Sequence, residues 1–93
     1  MDAAIREIVQ GVPSGLAFDA HYVIDTLIRN YSDTYILFAR TISAQSNVTP
    51  YLHSEISKKI DRLNGSIIDR QQNKSYSYNI RGNASDCVQW IKR

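Results

Sequence analysis

Residues 49–80 read TPYLHSEISKKIDRLNGSIIDRQQNKSYSYNI, and this stretch decides the fold. Thr49 offers a side-chain acceptor suited to an N-cap, and Pro50 fits the first helical position, where no N–H is needed. Leu52, Ile56, Ile60 and Leu63 then recur at helical spacing and predict one apolar stripe on a helix over 50–63. Asn64-Gly65 supplies the residue type that tolerates a left-handed helix end. Beyond it, Ser66–Arg70 and the alternating run Ser75–Ile80 flank the polar tip Gln71-Gln72-Asn73-Lys74, so an antiparallel hairpin is expected over 66–80.

Working outward toward the N-terminus, Asp2–Gln10 predicts a short helix with Ala4, Ile5, Ile8 and Val9 as its apolar positions. Gly11-Val12-Pro13-Ser14-Gly15 breaks it. Asp19 is a good N-cap for a helix over about 19–31 whose Val23, Ile24, Leu27, Ile28 and Tyr31 keep a three-four rhythm, and Phe18 is placed to staple back onto Val23. Ser32 opens a third helix over about 33–42, with Tyr35, Leu37, Phe38 and Ile42 as its apolar positions. Residues 43–48 form a polar connection to Thr49. Toward the C-terminus, Arg81-Gly82-Asn83 turns the chain, and a last helix is expected over about 84–92 with Cys87, Val88, Trp90 and Ile91 on its apolar side.

The chain has 93 residues, the size of one domain, and no run of apolar residues long enough to span a bilayer. Its N-terminus mixes both charges with no apolar segment behind it, and Cys87 is its single cysteine, so no internal disulfide forms and a cytoplasmic location is expected. The net charge of +2 is unevenly spread. Residues 1–57 carry three arginines against six carboxylates, net −3, whereas residues 58–93 carry eight cations against three carboxylates, net +5. The positive half coincides with the end of the 50–63 helix and the hairpin.

Ser54–Leu63 resembles the recognition helix of bacterial winged-helix regulators. Ile67–Arg70 followed by Lys74–Tyr78 resembles their strand, wing and strand, and Phe38–Ser43 is similar to the helix that precedes the turn. The resemblance spans about residues 17–80. It implies a mainly α fold with a small two-stranded antiparallel β-hairpin, winged helix-turn-helix-like, that binds double-stranded DNA and serves as a transcriptional regulator-like module. Winged-helix readers usually bind two half-sites, and Trp90 and Ile91 need a surface to cover, so a homodimer is also expected.

With the apolar stripe turned inward, Tyr51, Ser54, Ser57, Lys58, Asp61 and Arg62 point outward, and Lys59 lies at the stripe's edge. Tyr51, Ser54 and Ser57 can meet phosphates or base edges; Lys58 and Arg62 add positive charge beside them. Arg70 and Lys74 flank the expected wing tip, and Arg81 is a phosphate contact by position. Tyr76, Tyr78 and Ile80 share one side of their strand and are expected to close the edge of the core. His21 stands one helical turn before Asp25, as in a surface pair, and His53 suits a polar contact. Neither histidine has ligand-type neighbours at metal-site spacing, so no metal or cofactor is expected, and no nucleophile motif or glycine loop suggests an enzyme. The competing expectation is a protein-interaction domain on the same scaffold, using Tyr22, Tyr31, Tyr35 and the hairpin tyrosines.

Overall fold

The computed structural model describes residues 1–42 and 48–93. Helix α1 (Asp2–Gln10) buries Ala4, Ile5, Ile8 and Val9, and ends where Gly11 and Pro13 stop the helical rhythm. Strand β1 (Ala17–Asp19) leads directly into α2 (Ala20–Asn30), with the Asp19 carboxylate capping α2 by accepting from the Tyr22 N–H at 2.9 Å. Helix α3 (Ser32–Arg40) has no fully buried residue; Tyr35 and Phe38 pack against the core, while Ile36 and Leu37 face solvent. Helix α4 (Val48–Asp61) carries the deep stripe of Leu52, Ile56 and Ile60, with Leu63 half-buried beside it. Thr49 lies inside this helix, so the residue before α4 falls among 43–47, outside the described residues, as does most of the expected 43–48 connection.

The rest of the chain departs from a mainly α fold with a single hairpin. Strands β2 (Ile68–Arg70) and β5 (Gln89–Lys92) join β1 in a three-stranded antiparallel sheet of order β1–β5–β2, while β3 (Ser75–Tyr78) and β4 (Ala84–Cys87) form a second, two-stranded sheet. The helix expected over 84–92 is therefore two strands. Its run Cys87-Val88-Gln89-Trp90-Ile91 is β-branched and aromatic, and short enough to suit either state. What decides is that β1 and β2 each offer a row of backbone groups that only β5 completes. The hairpin expected over 66–80 also has different partners. Ile68–Arg70 pairs with β5, and Ser75–Tyr78 pairs with Ala84–Cys87, so Gln71–Lys74 crosses between sheets and the hairpin tip is Asn79–Asn83. There the Asn79 carboxamide oxygen accepts from the Arg81 and Asn83 N–H groups, and Gly82 takes a φ of +78° that side chains resist.

The core lies between α1, α2, α4 and the three-stranded sheet. Phe18 and Trp90 face each other across β1 and β5, with ring centroids 5.7 Å apart in a stacked arrangement. Trp90 is wholly buried within its own chain, so it needs no partner subunit to cover it. Among the described residues no helix is long and apolar enough to cross a membrane.

Candidate nucleic-acid interface

Four elements position the site. Helix α4 turns Ser54, Ser57 and Lys58 away from the core, and Tyr51, one turn earlier, is exposed. Ser54, Ser57 and Lys58 share a groove of about 200 Å³ with Asp61, Arg70 of β2, and Val88 and Trp90 at and beyond the β4–β5 junction, and Tyr51 lies outside it. A second groove of about 250 Å³, lined by Arg70, Gln71, Gln72, Lys74 and Val88, continues from it along the base of the hairpin. Arg70 and Val88 belong to both grooves, so the outer face of α4 and the hairpin base form one path.

Lys58, Arg70 and Lys74 place three cations along that path. Lys58 Nζ is 3.2 Å from Glu55, and Arg70 is 3.4 Å from Asp61. These pairs are solvent-exposed enough to contribute little and to yield to a phosphate. Asp61, the carboxylate lining this groove, is already occupied: Trp90 Nε1–H donates to one oxygen at 3.0 Å and Arg70 to the other. Among the described residues, neither Lys74 nor Arg81 belongs to an ion pair.

Two of the expected contact residues lie elsewhere. Arg62, in the turn directly after α4, lines a different groove, with Asp2, Ala3, Arg6 and Lys59 against α1. Lys59 on that side donates to Asp2 at 2.7 Å and sits over the Phe38 ring. Arg81 stands at the hairpin tip. Burial pushes the His53 imidazole below its ordinary value, and the charges of His21 and Arg81 add to the effect. A neutral His53 imidazole can accept from the Tyr35 hydroxyl, 3.0 Å from its Nε2.

Tyr76 and Tyr78 do not close the core edge. They are 74% and 73% exposed, because the alternate residues of β3, Ser75 and Ser77, face the protein instead. Both serines donate to Asp19, at 2.6 and 2.7 Å. His21 is not paired with Asp25, which binds Arg29; it meets Ser77 Oγ at 2.6 Å from Nδ1 and Ser85 Oγ at 3.5 Å from Nε2. The hairpin is thus held on the start of α2 by polar contacts. The alternation of serine and tyrosine in 75–78 was the signal for this split, since one of the two sets had to face outward. No protein-family model, curated protein or solved structure matches the chain.

Proposed function

We propose that the chain is a cytosolic, non-catalytic module that binds double-stranded DNA, as a transcriptional regulator-like reader. The observation that carries this reading is the continuous path through Arg70 and Val88, which joins the outer face of α4 to the hairpin base and holds Lys58, Arg70 and Lys74. The chain enters the hairpin from β2 and leaves it into β5, between β1 and β2. As in winged-helix readers, a helix and a hairpin would meet one duplex. In this reading Ser54, Ser57 and Tyr51 approach base edges in the major groove, and the three cations neutralise phosphates. Two copies on paired half-sites is the assembly such readers use, and sedimentation of the complex counts them.

A salt-dependent titration of a labelled duplex tests the proposal. Three phosphate contacts give a log–log slope of about −3. A folded protein that binds no duplex at low salt overturns it. The protein-interaction reading would then rest on a separate groove of about 390 Å³ beside β1, where exposed Leu16 and Tyr22 join Val12, Pro13 and Phe18. Tyr31 and Tyr35 belong to neither surface, since both pack against the core.

A further inference from the structure

The seam between the hairpin and α2 gathers three side chains of metal-ligating type. Asp19 ends β1, His21 lies in the first turn of α2, and Cys87 ends β4; one donor atom from each lies within 4.8 Å of the others. We propose that Asp19, His21 and Cys87 form a binding site for a divalent cation of the zinc class, with the fourth position open to water.

The donor set fits that class. One sulfur, one imidazole nitrogen and one carboxylate oxygen suit zinc or cobalt, whereas magnesium and calcium take oxygen alone. A thiolate and a carboxylate balance the charge of a divalent ion, so the half-buried site becomes neutral when filled. Bonds of zinc length place neighbouring donors about 3.3–3.8 Å apart, so the three groups close by about 1 Å around the ion. Each has capacity to spare. The Asp19 carboxylate offers about four acceptor positions and uses three, for Ser75, Ser77 and the Tyr22 N–H. His21 contacts Ser77 at Nδ1 and has only a long contact at Nε2, so one ring nitrogen can turn to the ion while the other keeps a serine partner. The serines then serve as the outer partners that orient ligating carboxylates and imidazoles. Asp19 and His21 also line a groove of about 330 Å³ with Tyr78 and Asn79, through which water reaches the fourth position.

Binding replaces the Cys87 S–H bond with a sulfur–metal bond and releases that proton to solvent; no electron is transferred. Because the thiolate is the ligand, apparent affinity rises with pH. The site would tie β1, α2 and β4 together, adding a clamp to the hydrogen bonds that hold the hairpin on α2.

Titrating the chelator-treated full chain with cobalt(II) tests this. The expected result is a thiolate-to-cobalt charge-transfer band that saturates at one ion per chain and disappears on adding zinc. Cys87→Ser removes the band, and His21→Ala weakens binding at least tenfold. Zinc should also slow alkylation of Cys87 in the wild-type chain, a measurement that needs no variant to fold. Absence of the band at millimolar cobalt, its persistence in Cys87→Ser, or an alkylation rate indifferent to zinc overturns the site.

Discussion

Asp61, the last residue of α4, accepts a hydrogen bond from the buried indole of Trp90 at 3.0 Å, so the end of the helix is fastened to the central strand of the sheet. The carboxylate that looks unhelpful on a DNA-facing helix thereby has a structural task. It ties the outer face of α4 to β5.

Replacing Trp90 by alanine removes a wholly buried side chain and should cost about 3–5 kcal/mol in urea denaturation. Asp61→Asn keeps an acceptor for the indole and should cost about 1 kcal/mol. If Asp61→Asn were as damaging as Trp90→Ala, the fastening would depend on charge and not on the hydrogen bond.

Lys58→Ala and Lys74→Ala should each weaken binding to any duplex and flatten the salt slope by about one unit. Arg62→Ala, whose side chain lies on the α1 side, should leave the slope unchanged, as should Arg29→Ala, which pairs with Asp25. Fluorescence anisotropy at several salt concentrations separates these cases. A slope change in Arg62→Ala equal to that in Lys58→Ala would shift the contact surface to the other side of α4.

Tyr76→Ala and Tyr78→Ala should each change stability by less than about 0.5 kcal/mol, because both rings stand in solvent. Thermal or urea unfolding of the two variants checks this. Tyrosines that closed the core would cost several times as much.

Acid should weaken the fold in two steps. The folded His53 imidazole titrates below its ordinary value of 6.5, so its contribution is complete above that pH and is lost as pH falls through the lower, folded value. Partial burial pushes the Asp19 carboxyl up, but hydrogen bonds from Ser75, Ser77 and the Tyr22 N–H together hold it below its ordinary 3.8. Its contribution is present above 3.8 and is lost as pH falls through its folded value. Urea midpoints measured from pH 8 down to pH 3 should show both declines, and His53→Gln should remove the first alone.

Local patterns made part of this fold legible. Leu52, Ile56 and Ile60 mark α4 because one helix face needs no information from elsewhere in the chain, and Asp19 marks the start of α2 for the same reason. The sheet was illegible. Ala17-Phe18-Asp19 is three residues long and becomes a strand only because Gln89-Trp90-Ile91 lies opposite. The same non-local pairing turned an expected C-terminal helix into β4 and β5 and moved the hairpin tip from Gln71–Lys74 to Asn79–Asn83. At the site, spacing placed Lys58 and Arg62 on one face, but Lys58 lines the groove toward β2 and Arg62 the groove toward α1, because each side chain follows the neighbour that packs beside it. The meeting of Asp19, His21 and Cys87 likewise depends on the hairpin folding back, which no sequence interval records.

The place of β5 at the centre of the sheet also sets when the sheet can fold during synthesis. Within the sheet, β1 and β2 each pair with β5 and not with each other. On the ribosome the helices can form as they emerge, yet Phe18 waits for Trp90, and the sheet must close late over a long loop. The path between α4 and the hairpin needs Arg70 and Val88 in register, so it comes into being in that closing event. A nascent chain halted before Gln89 would already carry Lys58, Arg70 and Lys74, with no surface on which to array them.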